Sequence, residues 1–261
     1  MSQYIFDCDS YLLRIGYVGK VIPNEKHLKG LHHAHLHTIP FENFDILSGK
    51  GINIEPEALF DKLVHNNRGG YCFEVNGLFL GALKTFGFEA RPLLGRVHVT
   101  GEPSGRGHQI TLVTIQEKKW IVDVGFGGST PRTPIQLELD KPLTQNGQRI
   151  RLIETQEFGI MLQSKKNEQW HNLYSFDLEH VCPGDIKHGN HFASTHPDSF
   201  FTYARVAALP VNNGGFTLYD NTLTSVIEGK DKAWELADGQ PYIDALKTCF
   251  GIESDELCKI F

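Results

Sequence analysis

The chain has 261 residues, 40% of them apolar and 21% charged, and 25 lysines and arginines stand against 31 aspartates and glutamates for a formal net charge of −6. That is ordinary globular composition and excludes a disordered chain. The acidic balance carries no basic stripe for nucleic acid and no polybasic cluster for a membrane surface.

The first residues carry early acids and lack the basic and apolar regions of a signal peptide. No apolar run approaches the ~20 residues that span a bilayer. Asp9 can cap a short helix carrying Tyr11, Leu12 and Ile15, and Asn24 another carrying Leu28, Leu31 and His35. Pro56 suits a first helical turn, with Leu59, Phe60, Leu63 and Val64 following at helical spacing. Asn66 to Gly70 stops that helix, and an apolar helix runs from Tyr71 to Phe86.

From Glu89 the period shifts to two. Strands are expected over Pro92–Thr100, His108–Ile115, Lys119–Val124, Arg149–Glu154, Ile160–Gln163 and Gln169–Tyr174. Such a succession predicts an antiparallel sheet or small barrel. In the last third Phe201–Ala207, Phe216–Tyr219 and Leu223–Ile227 read as strands. Lys232–Ala237, Tyr242–Phe250 and Asp255–Phe261 read as helices. No Pro/Gly/Ser linker separates these stages, so they are expected to share one body.

Five cysteines stand at positions 8, 72, 182, 249 and 258, widely spaced and without a CxxC pair. They predict free thiols in a cytoplasmic protein, with no disulfide framework and no zinc ribbon. Cys72 differs from the rest because Arg68-Gly69-Gly70-Tyr71 places it at the start of an apolar helix. Backbone N–H groups and the helix dipole favour a thiolate there. The other four read as small buried hydrophobes.

A reactive cysteine needs a base, and the base an orienting group. Thirteen histidines are present. His33 and His37 would share a helix face, but no third ligand stands nearby at metal spacing, so a half-buried helix end is expected and no metal. His108 follows the flexible stretch Gly101–Gly107, and Asp123 stands in the next apolar strand, where a carboxylate is costly unless paired. A turn at Gln116-Glu117 places Asp123 opposite Ile110, on the face of His108 and about 7–8 Å from it between backbones. A turn at Glu117-Lys118 instead leaves the two four residues out of register. The glycines of Gly125-Phe126-Gly127-Gly128 form either a tight turn or an anion-binding nest. Arg68 and Glu42 read as a buried ion pair around the cysteine helix, and Asn76 either orients the histidine or satisfies core backbone.

With these residues assembled, the chain resembles the arylamine N-acetyltransferases. Five segments carry the resemblance: Tyr11 to Tyr17, His35 to Asn43 (with Ile39-Pro40-Phe41-Glu42-Asn43), Arg68 to Asn76, Ser104 to His108, and Asp123 to Gly128. Asn190 to Phe200 is similar to the family further on. The resemblance implies an α+β protein with a cysteine-protease-like Cys-His-Asp core. A helical bundle over 1–88 would bear the cysteine, an antiparallel β-barrel over 89–186 the histidine and aspartate, and 187–261 would form an α/β lid. It implies a triad of Cys72, His108 and Asp123. It also implies acetyl-CoA as donor and arylamines, arylhydrazines or N-hydroxyarylamines as acceptors, in a ping-pong reaction. Phe41, Val97 and Phe126 fall at acceptor-pocket positions. Ser104, Gly105, Gly125, Gly127, Gly128 and Phe192 fall where coenzyme A contacts are expected, with nearby cations such as Arg106 assisting. Two rivals share these residues. One is a Cys-His-Asp amide hydrolase or transglutaminase-like acyltransferase that ignores CoA; the other is a binding module with an inert Cys72.

Overall fold

The computed structural model describes residues 4–253. Helix α1 (Cys8–Arg14) is capped by Asp7, whose carboxylate accepts from the N–H groups of Asp9 and Ser10, so the cap lies two residues before the one expected. Asn24 caps α2 (Glu25–Leu36) through His27 N–H, as its spacing predicts. Strand β1 (Phe41–Glu42), α3 (Phe44–Leu47), α4 (Pro56–Phe60) and a π turn (Asp61–His65) lead to α5 (Cys72–Thr85). The apolar faces of α1, α2, α4 and α5 meet in one core around Tyr11, Leu28, Leu63 and Phe79, closed on one side by Val113, Trp120 and Val122 of the neighbouring sheet.

That sheet is antiparallel and has eight strands: β2 (Glu89–Val97), β3 (Arg106–Ile115), β4 (Lys118–Val122), β5 (Ile135–Gln136), β6 (Leu143–Gln145), β7 (Gln148–Thr155), β8 (Gly159–Lys166) and β9 (Gln169–Phe176). Their order is β5-β4-β3-β2-β9-β8-β7-β6. The expected barrel is a curled, open sheet, for no ladder joins β5 to β6 among the described residues. Pro131 and Pro134 remove donors just before β5 and leave it two residues long. A side chain spans the gap: Gln145 Oε1 on β6 accepts from the N–H groups of Arg132 and Thr133 at 2.9 and 3.1 Å.

The β3–β4 hairpin turns at Gln116 and Glu117, both at positive φ, the signature of a tight hairpin turn whose twist matches the strands. Ile115 pairs with Lys118 and Thr111 with Val122. Continuing that register sets Asp123 against Ile110, the earlier of the two turns considered.

Helix α6 (Pro183–Thr195) was not anticipated, and it runs across the boundary expected at 186/187. A four-stranded meander follows, made of β10 (Val206–Val211), β11 (Gly214–Tyr219), β12 (Thr222–Ile227) and β13 (Lys230–Glu235), then α7 (Gln240–Phe250). The strand expected over Phe201–Ala207 is a 3-10 turn (Phe200–Thr202) that enters β10 only at Val206. The helix expected over Lys232–Ala237 is β13, which pairs along its length with β12. The helix expected at Asp255–Phe261, with Cys258, lies outside the described residues. β1 is the fifth strand of this sheet, with Phe41 opposite Ala208 and Glu42 opposite Ala207. The N-terminal bundle thus contributes an edge strand to the C-terminal sheet.

Candidate active site

Cys72 is the first residue of α5, and its thiol is buried. The helix starts there because Glu74 reaches back to accept from Tyr71 N–H at 3.1 Å, which satisfies one of the orphan donors of the first turn. Gly69 is required just before it, since a Cβ there would lie 2.2 Å from the Pro40 carbonyl oxygen. The thiol donates to the Gly107 carbonyl at 3.7 Å and so sits beside the start of β3.

His108 stands on β3 next to that carbonyl and is buried. Its Nε2–H donates to Asp123 Oδ2 at 2.8 Å, and its ring is held between Phe126 and Tyr174, with centroids 4.8 and 4.9 Å away. The remaining nitrogen, Nδ1, is left for the thiol. Burial alone would lower the His108 pKa. The charge and hydrogen bond of Asp123, with a further contribution from Cys72, outweigh it and push the value up to about 10. Burial likewise opposes ionisation of Asp123. His108, the Gly125 N–H and Asn76 overcome that and hold the carboxyl below its usual range.

Asp123 is gripped on both oxygens. Oδ1 accepts from Asn76 Nδ2 at 3.0 Å and from Gly125 N–H at 2.8 Å. Asn76, one turn after Cys72, also accepts from Val124 N–H at 2.9 Å, so it ties the cysteine helix to the aspartate and its neighbour. Asn76 thus satisfies core backbone, the second of the two roles expected, and its other contact is with Asp123 and not with the histidine itself. His32 on α2 donates through Nε2 to the Asp123 carbonyl at 2.9 Å. Gly125 allows this close docking, since a Cβ would lie 2.5 Å from Val75 and 2.9 Å from the Asn76 amide.

A cavity of about 1050 Å³ opens over the thiol. Of the triad, acceptor and coenzyme positions that the resemblance implies, all but Asp123 line it: Cys72, His108, Phe41, Val97, Ser104, Gly105, Gly125, Phe126, Gly127, Gly128 and Phe192. Asp123 lies behind His108. Gly105 and Gly127 leave open space where side chains would stand, so the backbone there is accessible. Phe192 is half exposed at the mouth and stacks on His196 at 4.5 Å. Arg106 lines the cavity too, but its guanidinium pairs with Asp177, so its charge is answered within the protein. Phe200, Phe201 and Tyr203 complete an aromatic side that sequence reasoning missed. Their density of rings just before β10 was the available signal.

The expected Arg68–Glu42 pair is present at 2.7 Å, within a larger buried network. Arg68 also meets Asp45 at 2.9 Å, and Lys62 bridges Asp45 at 2.9 Å and Glu74 at 2.7 Å. On α2 His32 and His35 are buried, and the ring of His33 lies 4.0 Å from that of His37 just past the helix end. Among the described residues no group of three or more His, Cys, Asp or Glu side chains is placed to hold a metal ion. Among them, too, no helix is long and apolar enough to cross a membrane.

A thiol at a helix start, an imidazole–carboxylate pair beside it and a large aromatic cleft above define a class of site, one suited to acyl chemistry at sulfur. Residues 26–257 match the protein family described as N-acetyltransferase. The arylamine N-acetyltransferase of Escherichia coli (strain K12) is 37% identical over 221 residues, covering 81% of this chain and 78% of that protein. The solved arylamine N-acetyltransferase from Salmonella typhimurium superposes with a TM-score of 0.92 at 31% identity, covering 97% of each chain. That of Mycobacterium marinum, solved in complex with CoA, gives 0.90 at 33% identity, covering 98% of this chain and 95% of the other. The chain belongs to the arylamine N-acetyltransferase family, and it is an acetyltransferase.

Proposed function

We propose that the protein transfers acetyl from acetyl-CoA to the nitrogen of arylamines and arylhydrazines, and to the oxygen of N-hydroxyarylamines, by a ping-pong route through Cys72. The observation that carries this reading is the His108–Asp123 hydrogen bond at the foot of the cavity, with the Cys72 thiol beside it. His108 is the group that holds and moves the proton, and Asp123 orients the ring and favours its charged form.

The Cys72 thiolate attacks the thioester carbonyl, and the bond to the CoA sulfur breaks. The departing thiolate takes the His108 proton, leaving acetyl-Cys72 and a neutral imidazole. The acceptor nitrogen then attacks the acetyl carbon. The bond to Cys72 sulfur breaks and His108 takes the proton, which restores the thiolate–imidazolium pair. Backbone N–H groups near Cys72, at the start of α5, receive the carbonyl oxygen in this reading as it gains charge. The long cleft with open backbone at Gly105 and Gly127 fits an extended donor, and Phe41, Val97 and Phe126 give the acceptor ring an apolar wall. Family membership argues against the hydrolase or transglutaminase-like alternative. A cytoplasmic location fits the free cysteines at 8, 72, 182 and 249.

Mass spectrometry after brief exposure to acetyl-CoA tests the route. One acetyl group is expected on Cys72 and none on the other thiols. A Cys72→Ala variant should lose arylamine acetylation by orders of magnitude. Wild-type rate in that variant would refute the assignment.

A further inference from the structure

Asn43 is buried and lies apart from Cys72, His108 and Asp123. Its amide makes three long-range hydrogen bonds. Nδ2 donates to the carbonyls of Phe201 and Ala204, both at 2.8 Å, and Oδ1 accepts from Val206 N–H at 2.9 Å. Both amide hydrogens and a carbonyl lone pair are thus used, and every partner is backbone of one segment. That segment is the irregular passage from the 3-10 turn into β10. It carries Phe201, whose ring lines the cavity, meets Phe41 at 6.0 Å and stands edge-on to Tyr71 at 5.4 Å. Phe41 is itself pinned to β10 through β1, two residues before Asn43.

We propose that Asn43 is a positioning residue for the acceptor: its amide fixes the Phe201–Val206 backbone and thereby the aromatic wall against which the acceptor ring lies. The inference rests on the ping-pong reading above. The amide stands in for a missing strand partner. Without it the two carbonyls and the N–H lose their buried partners and the loop that bears Phe201 loosens. A wall ordered in advance saves the acceptor the cost of ordering it on binding. The thiol, imidazole and carboxylate are held by other contacts, so the cost falls on the acceptor step and not on acetylation of Cys72.

The two half-reactions separate the roles. Rapid-quench mass spectrometry follows formation of acetyl-Cys72 from acetyl-CoA, and then its decay on addition of p-anisidine. In Asn43→Ser, formation should stay within about two-fold of wild type, while the second-order decay rate falls at least about ten-fold, through the acceptor's apparent affinity. On a Phe201→Leu background the same substitution should add less than about two-fold, because the wall it positions is already impaired. Asn43→Asp is the second variant. It is isosteric and keeps the acceptor for Val206 N–H but sets a carboxylate oxygen against two carbonyls, and it should show the same split. Equal loss in both half-reactions, an unchanged decay step, or a full ten-fold loss on the Phe201→Leu background would each overturn the proposal. Failure of the ping-pong reading is seen separately, as wild-type protein that forms no acetyl-Cys72.

Discussion

Asp123 answers four groups at once: His108 on Oδ2, Asn76 and Gly125 on Oδ1, and His32 on its backbone carbonyl. A buried carboxylate would be expensive without them. Its charge is also what keeps His108 protonated, since burial by itself works in the opposite direction. Asp123→Asn keeps shape and removes charge. The His108 pKa should then fall from about 10, because burial is left opposed chiefly by Cys72, and the ring gives up its proton more readily near neutral pH. Imidazole NMR titration checks the direction, and iodoacetamide alkylation of Cys72 at pH 7 should slow about ten-fold or more. The same raised pKa sets an alkaline limit. In the wild type the pair's contribution is complete below the unfolded value of 6.5 and is lost as pH rises toward about 10, a loss Asp123→Asn should not show.

Helix α2 supplies the buried histidine behind the site. Burial dominates the environment of His32 and drives its pKa down to about 4, against a weaker opposing effect of the Asp123 carbonyl. The unfolded chain takes up this proton near pH 6.5, whereas the native state resists it to pH about 4. Between those values the unfolded state binds more protons, so stability rises with pH. Acidification across that window should cost about 3 kcal/mol from this residue. His32→Gln retains an Nε2 donor toward Asp123 and cannot titrate. Urea midpoints at pH 7.5 and 4.5 should therefore differ less in the variant than in the wild type, and an equal difference would rule His32 out as the source.

At this scale the sequence was legible where local chemistry decides. A hairpin was legible from polar residues between apolar strands, but residues 116–119 are all polar and left two registers open; the pairing of Ile115 with Lys118 selects the one in which His108 and Asp123 meet. The start of α5 was marked by its glycines. β13 was misread because Lys, Asp, Ala and Glu are indifferent or helix-favouring, and all six of its residues are exposed, so no alternation of burial was written into it. Pairing with β12 overrides that propensity. α6 escaped notice because two glycines and few apolar residues hide its periodicity, although Pro183 in its first turn and Asp185 two residues later were visible start signals. The bonds of Asn43 and His32 had no local signature, because their partners stand far away in sequence and packing alone brings them together.

Over the whole molecule, the net charge of −6 conceals how charge is spent inside. Glu42, Asp45 and Glu74 face Lys62 and Arg68 in a buried network that joins β1, α3, the π turn and α5. Burial disfavours each charge. Glu74, Glu42 and Asp45 nevertheless hold the Lys62 pKa above its usual value, and Glu42 with Asp45 does the same for Arg68. Because β1 also belongs to the C-terminal sheet, this network ties the cysteine helix to that sheet. Arg68→Met should leave Glu42 without its direct ion pair and Asp45 with Lys62 alone, and cost about 3–5 kcal/mol, read as a lower urea midpoint. Arg68→Lys keeps the charge but loses the fork that reaches two carboxylates, and should fall between. If Arg68 acts only by holding these elements together, protein that remains folded in the cold should still form acetyl-Cys72 at close to the wild-type rate per folded molecule. If Arg68 instead takes part in the chemistry, Arg68→Met would lose that rate even where its circular dichroism and urea midpoint are those of the native protein. The ratio of rate to folded fraction therefore separates the two roles, and the geometry favours the first, because both Arg68 contacts end on carboxylates outside the cavity over Cys72.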